Sequence, residues 1–393
     1  MPTEDEMTLD ERRKYLKRMK PRYLKAKRKG RSQLLSEMEQ VTGLHRKSLT
    51  RLLSGESLAR QKRQKPRERS YGAEVEEVIV VVWESLDYIC AERLTPALLS
   101  MAQHLARFGV VKLREEIEEQ LKTISRATVS RILRRFRSRR RRLPQKGAER
   151  ANQVTKGVPM GRIAWDIKEP GHCEVDLVYH SGESVAGEFG HTIQMVDVAT
   201  GWSERVAVLG RGQRAMEAGF EHILGRVPFA MVELHPDNGS EFFNAHLVRY
   251  WKEKVVGVHL SRSRPYQKND NRYVEQKNDT LVRQYFGDLR FDRPEEIEAM
   301  NVLYEQMWVY YNLFQPVMHL IGKTVVDDKV RRTWDKAQTP FERLKATGKL
   351  TAEQQQRLQA LYEHTNPRHL REEIYRGLAH LWQQSTASAT QVA

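Results

Sequence analysis

The stretch His235-Pro-Asp-Asn-Gly-Ser-Glu-Phe242 decides how the rest of the sequence is interpreted. It follows residues 228–234, PFAMVEL, whose apolar and β-favouring side chains predict a buried strand. It precedes residues 242–254, FFNAHLVRYWKEK, in which apolar side chains recur at the helical period. Asp237 therefore stands at a strand-to-helix turn rich in Asp, Asn and Gly, where a carboxylate on a rigid mount is open to a substrate.

Two further carboxylates could act together with Asp237. In residues 172–179, HCEVDLVY, successive side chains alternate, which places Asp176 in the middle of a predicted strand, where Asp is disfavoured and needs a reason. Residues 269–285, NDNRYVEQKNDTLVRQY, open with polar capping residues and predict a helix with Glu275 in its first two turns. We expect Asp176, Asp237 and Glu275 to converge.

The order of strand Asp, strand-end Asp and helix Glu resembles the catalytic core of the DDE transposases and retroviral-type integrases. Between Asp176 and Asp237 lie 60 residues, and between Asp237 and Glu275 lie 37, which is close to the family's usual second spacing. The resemblance covers residues 163–315. Its local strings, DNGSEF and SRPYQKNDNRYVEQKN, look like those of the integrase-core transposases of bacterial insertion sequences.

The resemblance implies an α/β ribonuclease-H-like catalytic core with a mixed sheet, in which Asp176 and Asp237 lie on adjacent strands. It also implies two Mg²⁺ ions, with Mn²⁺ as a substitute, that Asp176 bridges while Asp237 and Glu275 hold one each. The implied activity is that of a DNA transposase, which binds the terminal inverted repeats of a mobile element, cleaves at the 3′ ends and joins them to target DNA. Because two ends are joined, the resemblance implies a homo-oligomer, at least a dimer on DNA.

Other acidic and imidazole groups remain open as ligands. Asp197 is interpreted as structural, or as a group that supports a ligand. Asp279 lies one helical turn after Glu275 and is the main alternative for the third ligand, whereas Glu174 shares a strand face with Asp176. Weaker alternatives, for which we favour capping or structural roles, are Glu241, Asp270, His172 and His235.

Charge is distributed unevenly along the 393 residues, whose net charge is +16. Residues 1–150 carry 37 Lys and Arg against 20 Asp and Glu, a net of +17, whereas residues 151–393 carry 30 against 31. A basic block beside a neutral one predicts a module that grips a polyanion and a second module with another task. Double-stranded DNA is the expected partner and not a membrane, because the longest apolar run, residues 78–83, is far too short to span a bilayer and is interpreted as core.

The expected compartment is a reducing, nucleoid-associated bacterial cytoplasm. No secretory signal is visible at the N-terminus, which is acidic and then strongly basic. The two cysteines, Cys90 and Cys173, have no CxxC spacing, which disfavours both a disulfide scaffold and a zinc module. The last point differs from retroviral integrases, whose N-terminal domain binds zinc.

Residues 1–60 are predicted to form an α-helical helix-turn-helix DNA-binding domain. A charged helix interrupted at Pro21 and ended by Gly30 comes first. Residues 32–54 then read as helix, turn at Gly43, and helix. The residues expected on the exposed side of the second helix, facing DNA, are Arg46, Lys47, Ser48, Thr50 and Arg51. An ordinary helical hairpin with solvated charges is the alternative.

Residues 61–143 are predicted to form a second helical DNA-binding domain of helix-turn-helix type. One helix is expected to begin at Thr95-Pro96 and run to Gly109, and another spans residues 113–121. Ser125 caps a last helix that runs into an arginine tail. Its predicted DNA contacts are Arg126, Thr128, Ser130, Arg131, Arg134, Arg135, Arg139 and Arg140. A solvated or disordered charge tract is the alternative.

The remaining divisions follow from composition. We predict a linker over 144–160, the catalytic core over 161–290, a helical C-terminal region over 291–384 and a disordered tail over 385–393. Within the core, a basic loop and the helix after it are expected to follow the DNA backbone through Arg262, Arg264, Lys268 and Lys277. Two functions compete with transposition: a ribonuclease-H-like nuclease or resolvase without strand transfer, and a catalytically silent DNA-binding regulator.

Overall fold

The computed structural model describes residues 7–55, 58, 71–136, 160–161, 167–236, 257–263, 271–326 and 329–392. The chain divides into two compact units, Met1–Ser70 and Tyr71–Ala393. Several predicted features lie outside the described residues, namely Asp237, the helix over 242–254, and the DNA contacts Arg139, Arg140, Arg264 and Lys268.

The described residues of the first unit form three helices, α1 (Leu9–Lys25), α2 (Arg28–Thr42) and α3 (Arg46–Ser54). Thr8 opens α1 with a capping box, since its hydroxyl accepts the N–H of Glu11 and the Glu11 carboxylate accepts the N–H of Thr8. Gly43 ends α2 at φ 65°, a conformation that glycine adopts without strain. The three helices enclose a small apolar core that includes Leu16, Met19, Met38, Leu49 and Leu53.

The first helix ends earlier than predicted. Pro21 lies inside α1, which stops at Lys25, and Gly30 belongs to α2. The guanidinium of Arg31 explains the stop, because it donates to the carbonyls of Tyr23, Leu24 and Ala26 at 2.9–3.2 Å. These carbonyls at the end of a helix lack helical partners of their own.

The second unit begins with four helices, α4 (Ala73–Ser85), α5 (Ala91–Arg107), α6 (Glu115–Thr123) and α7 (Arg126–Phe136). The apolar run 78–83 forms the buried part of α4, so its prediction as core is confirmed. Helix α5 begins at Ala91 and not at Thr95. The Thr95 hydroxyl donates to the Ala91 carbonyl at 2.6 Å, and Pro96 lies inside the helix.

These four helices do not form a compact unit of their own, in contrast to the separate domain predicted over 61–143. Their apolar side chains share one continuous core with residues far along the chain, among them Trp202, Trp308, Phe314, Phe341 and Leu358. The boundary between compact units falls at Ser70. Burial of shared apolar surface therefore makes α4–α7 part of the same body as the sheet.

The sheet has five strands. Its strands are β2 (His172–His180), β3 (Gly190–Asp197), β4 (Ser203–Leu209), β5 (Glu233–Pro236) and β6 (His259–Leu260). Outside this sheet, β1 (Met160–Gly161) pairs with β7 (Arg262–Ser263). The strand order is β4-β3-β2-β5-β6. Strands β2, β3 and β4 pair antiparallel, whereas β5 is parallel to β2 and β6 is parallel to β5. The predicted mixed sheet is confirmed.

The two faces of the sheet carry different chemistry, because side chains alternate along each strand. One face is apolar and packs Val175, Ile193 and Val206 with Phe220 and Ile223 of α8 (Gln213–Arg226). The opposite face carries Glu174, Asp176, Gln194 and Arg205. Strand β5 begins at Glu233, five residues after the start predicted for the strand over 228–234.

Helices cover the polar face and complete the unit. They are α9 (Arg272–Lys277), a π-helical segment (Asn278–Arg283), α10 (Gln284–Phe286), α11 (Pro294–Val309) and a second π-helical segment (Tyr310–Phe314). A hairpin of β8 (Leu320–Val326) and β9 (Lys329–Trp334) precedes α12 (Pro340–Ala346), α13 (Ala352–His364) and α14 (Pro367–Val392). The last helix continues to Val392 through the tail that was predicted to be disordered. Among the described residues, no helix has the length and apolarity to cross a bilayer.

Candidate active site

Asp176 lies on β2, the middle strand of the sheet. Gln194 on the antiparallel strand β3 lies directly opposite Asp176, and Arg205 on β4 lies opposite Gln194. The carboxylate is half-buried, and its Oδ1 accepts the N–H of Leu177 at 2.8 Å. Because side chains alternate, Glu174 points to the same face of the sheet as Asp176.

Helix α9, which carries Glu275, is attached to this face through Glu174. The Glu174 Oε2 accepts the backbone N–H groups of Tyr273 at 2.7 Å and Val274 at 2.9 Å. Amides in a first turn have no partner within their own helix. A carboxylate of the sheet therefore caps the helix that carries the predicted third ligand.

A second contact joins β2 to the first residue of the π-helical segment, which continues α9. Asn278 Nδ2 donates to Asp176 Oδ2 at 2.5 Å. Asn278 follows Glu275 by three residues, so the two side chains are neighbours on the helix surface. The contacts thus place the helical segment that bears Glu275 against the strand that bears Asp176, with Glu275 exposed.

The electrostatics of Glu174 reflect this arrangement. Burial raises the pKa of Glu174 to about 8, and the N–H groups of Val274 and Tyr273 and the charge of Arg272 oppose the rise. The Glu275 carboxylate acts in the same direction as burial, because like charges disfavour ionisation of a neighbour. Glu174 and Glu275 are therefore close enough to interact electrostatically.

Strand β5 leads to the position of the predicted second carboxylate. It runs parallel to β2, with Pro236 opposite Val175. Asp237 is the next residue in the sequence but lies outside the described residues. Within the described part of the chain, no group of three His, Cys, Asp or Glu side chains is arranged to hold a metal ion.

Asp197 has a full set of protein partners. Its carboxylate accepts the N–H of Gly171 at 2.8 Å, the N–H of Thr200 at 2.9 Å and the Thr200 hydroxyl at 2.6 Å. Burial raises the pKa of Asp197 to about 6 against these hydrogen bonds. The contacts fix the turn after β3, in keeping with a structural interpretation.

The other competing groups are spread around the site. The ring of His235 is buried, with Nδ1 2.6 Å from the Ser261 hydroxyl, and His172 Nδ1 lies 2.9 Å from a Glu233 oxygen. Asp279 is exposed on the π-helical segment, where Gln284 donates to it at 3.4 Å. Both rings thus have polar partners within the protein.

Several residues predicted to contact DNA make contacts within the protein. In the first unit, Arg46 donates to the Ser36 hydroxyl at 2.9 Å and to the Ser32 carbonyl at 3.0 Å, which ties α3 to α2. Arg126 and Arg135 form ion pairs with Glu92 and Glu76. The remaining members are exposed or half-buried: Lys47, Ser48, Arg51, Thr128, Ser130, Arg131 and Arg134.

Lys277 lies against the protein and not in a solvated basic surface. Its Nζ is 4.8 Å from the centre of the Tyr311 ring. Burial lowers the pKa of Lys277 to about 7, and the charges of Arg93 and Arg205 lower it further.

Sequence reasoning missed the hydrogen bonds that hold this site together. Glu174 was considered only as a rival ligand, although its position two residues before Asp176 signals a shared face. Asn278 was not singled out, and a polar residue three positions after Glu275 was the available signal. The partners of both side chains depend on how the helix approaches the sheet, which local patterns do not encode.

Comparisons with known proteins add a relative but no activity. No known protein-family profile matches the chain. The uncharacterized protein y4rM of Sinorhizobium fredii is 35% identical over 327 residues, which cover 82% of this chain and 91% of that protein. Among solved structures, the catalytic core domain of BIV integrase matches 45% of this chain and 95% of its own, with 16% identity and a TM-score of 0.31. That structural likeness is too low to bear on function.

Proposed function

The chain belongs to the same family as the uncharacterized protein y4rM of Sinorhizobium fredii, and we propose that it is a DDE transposase. In this proposal it binds the inverted repeats at the ends of a mobile element, cleaves at the 3′ ends and joins them to target DNA. Asp176, Asp237 and Glu275 form its catalytic triad.

One observation carries the proposal: the helix that bears Glu275 is docked on the strand that bears Asp176. The docking uses two polar contacts, from Glu174 to the start of α9 and from Asn278 to Asp176 itself. The parallel strand β5 ends at Pro236 beside Val175, one residue before Asp237 in the sequence. Burying polar groups costs desolvation free energy, which these hydrogen bonds offset. In this proposal the contacts serve to hold the acidic side chains near one another.

The donor set suits Mg²⁺. Asp176 and Glu275 offer hard carboxylate oxygens, which this ion prefers, and Glu275 is exposed while Asp176 is half-buried. Asp176, Asp237 and Glu275 would hold the ions. When bound, a pair of divalent ions neutralises charge on the attacking and leaving oxygens of a phosphodiester.

The protein's own part in the reaction is positioning. Asn278 fixes one oxygen of Asp176, and the N–H of Leu177 fixes the other, so the carboxylate has a defined orientation. In the first step water breaks the bond between phosphorus and the 3′ oxygen at an element end. The freed 3′-hydroxyl then attacks a phosphodiester of target DNA in the same site, where its oxygen bonds to phosphorus and the target's own P–O3′ bond breaks, releasing a target 3′-hydroxyl that takes up a proton.

The basic first third of the chain is the proposed DNA-binding part. Exposed cations on α3 and α7, namely Lys47, Arg51 and Arg134, are suited to phosphate contacts. We propose that α3 and α7 each present a face to the element ends, with two copies of the chain acting on paired ends.

The test is a joining assay with purified protein, labelled element ends, target plasmid and Mg²⁺. We expect wild-type protein to yield joined products, and Asp176→Asn to lose joining by at least about 100-fold while it still binds ends. Cleavage without joining would instead indicate a nuclease, and binding without either reaction a regulator. Joining that survives Asp176→Asn would refute the assignment of the triad.

A further inference from the structure

We propose that Glu174 is a positioning residue, which sets where Glu275 stands relative to Asp176 by capping the helix that carries Glu275. The inference rests on the proposed function, because it concerns how two of the three proposed ligands are brought together. Glu174 itself would touch neither substrate nor metal ion.

Helix α9 needs an external cap. It opens a continuous helical stretch, Arg272–Lys277 followed by Asn278–Arg283 and Gln284–Phe286, and the N–H groups of its first turn have no acceptor within that stretch. Its N-cap residue, Asn271, makes no side-chain hydrogen bond to the first turn. The Glu174 oxygen supplies the missing acceptor for the N–H groups of Tyr273 and Val274. The start of α9 therefore depends on a side chain of the sheet.

The cap and the Asp176 contact act as a pair. Glu174 and Asp176 are two residues apart on one strand face, while Tyr273 and Asn278 are about one and a half turns apart on the helical segment. Two contacts between the same two elements fix the position of the helix along the strand as well as its rotation. Glu275 stands between these two contacts in the sequence.

Burial separates Glu174 from a ligand role. Its side chain is 2% exposed, whereas Glu275 is exposed and Asp176 is half-buried. In the parallel register Glu174 lies opposite His235, which is also buried, and so is one pair further from the end of β5 than Val175 and Pro236. Both amide contacts use the same oxygen, so the carboxylate faces the helix backbone.

The experiment compares Glu174→Ala and Glu174→Gln in the full-length protein. A glutamine oxygen can accept the same two N–H groups, but a neutral amide is a poor metal ligand. Glu183→Gln, an exposed position after the same strand, is the matched control. The readouts are amide exchange over residues 271–278, Mn²⁺ affinity by electron paramagnetic resonance, thermal stability, binding of element ends, and joining.

We expect Glu174→Ala to speed exchange at Tyr273 and Val274 and to lower Mn²⁺ affinity and joining by about 10–100-fold, with end binding unchanged. Glu174→Gln should keep amide protection and stay within about threefold of wild type in Mn²⁺ affinity and joining. A role in stability alone would lower the melting temperature without weakening Mn²⁺ binding to the folded protein.

Two further results would overturn the proposal. The first is normal amide exchange and joining in Glu174→Ala. The second is a Glu174→Gln variant that loses Mn²⁺ binding as fully as Glu174→Ala, since this would make Glu174 a ligand. If Glu174→Ala fails to fold, Glu174→Gln decides alone through exchange and Mn²⁺ affinity. A wild-type protein that joins no DNA refutes the transposase proposal. Amide exchange in the Glu174 variants still tests whether Glu174 caps α9.

Discussion

The acidic side chains of the candidate site are held by polar groups of the strand and of the helical segment that packs against it. The mid-strand Asp176 stands out because a strand interior disfavours Asp, and Glu275 stands out from the string around it. The amide of Asn278 orients the Asp176 carboxylate, and this contact depends on how the helix packs on the sheet, which the local sequence does not encode. Asp237 lies outside the described residues, so its role stays a prediction.

Replacing Asn278 tests the orientation of Asp176. We expect Asn278→Ala to lower joining by about 10–100-fold, because one oxygen of Asp176 loses its donor. Asn278→Asp should be more severe, since it places a second carboxylate against the first. Asp279→Asn is the matched control, because it removes the rival third ligand one residue away without touching that contact. Loss of joining in Asp279→Asn, together with normal joining in Asn278→Ala, would instead favour Asp279 as the third ligand and would show that the Asn278 contact is not needed for joining.

His180 should make the fold sensitive to acid. It is buried, its Nε2 lies 2.7 Å from the Thr192 hydroxyl, and burial, helped by the charges of His191 and Arg283, lowers its pKa to about 3. Since its folded pKa is below the unfolded value of about 6.5, His180 stabilises the fold above that value, and the contribution is lost as pH falls toward 3.

Denaturant unfolding at pH 7.5 and pH 4.5 measures this effect. Between these pH values we expect His180 to account for a loss of about 3 kcal/mol in the free energy of unfolding. His180→Gln cannot ionise, so its stability should fall by that much less over the same range. An equal loss in wild type and variant would show that other groups cause the acid sensitivity.

At the scale of helices and strands, predictions succeeded where a pattern was long and failed where an end depends on distant contacts. The alternating pattern of residues 172–179 gave β2 within a residue, and α11 lies inside the helical region that was predicted to begin at residue 291. The start of α5 was placed four residues late, because Pro96 suggested a first turn but lies inside the helix. A proline is compatible with both positions, and local sequence does not separate them.

Gly171 tests how the strands are joined, because its backbone connects the start of β2 to the end of β3 and the start of β5. Its φ is 112°, its N–H donates to Asp197, and its carbonyl accepts the N–H groups of Val232 and Glu233. A Cβ at this position would lie 2.4 Å from the Ala230 carbonyl oxygen. We expect Gly171→Ala to lower the free energy of unfolding by about 3 kcal/mol, from backbone strain and this clash.

Gly225→Ala is the matched control for Gly171→Ala. Gly225 lies in α8, and an added Cβ there would meet nothing within 4 Å. This variant should be as stable as wild type or more stable by about 0.5 kcal/mol, because alanine favours a helix. Urea unfolding compares the two variants. Equal stability would mean that the junction at Gly171 adapts to a side chain without cost.

At the scale of the whole molecule, composition predicted a basic part and a neutral part, and the compact units divide elsewhere. The arginine-rich end of α7 suggested an independent DNA-binding domain over 61–143, yet its apolar face is buried in a core shared with Trp308 and Phe341. A helix that packs against its neighbours and one that packs against a distant sheet have the same periodicity. For this reason the sequence predicted the helices but not their partners.

Polar contacts strengthen this shared core. The Asp87 carboxylate, at the end of α4, accepts from the Arg371 guanidinium at 2.9 Å and from the hydroxyls of Tyr285 and Tyr375 at 2.9–3.1 Å. The charge of Asp87 raises the pKa of Arg371. Tyr285 lies on α10, at the end of the helical stretch that begins with α9 and carries Glu275. Through Asp87, both α4 and the C-terminal helix α14 therefore hold the end of this stretch that is farther from the candidate site.

Two fragments test whether α4–α7 are part of the catalytic body. A fragment of residues 71–393 keeps the whole second unit, and we expect it to unfold in one cooperative transition. A fragment of residues 160–393 lacks α4–α7 and leaves the apolar surface around Trp202, Trp308 and Phe341 without its cover. It should bind a hydrophobic dye, associate at micromolar concentration and lack a sharp thermal transition. A monomeric 160–393 fragment with a cooperative melt would show instead that the predicted boundary near residue 160 separates two domains that fold independently.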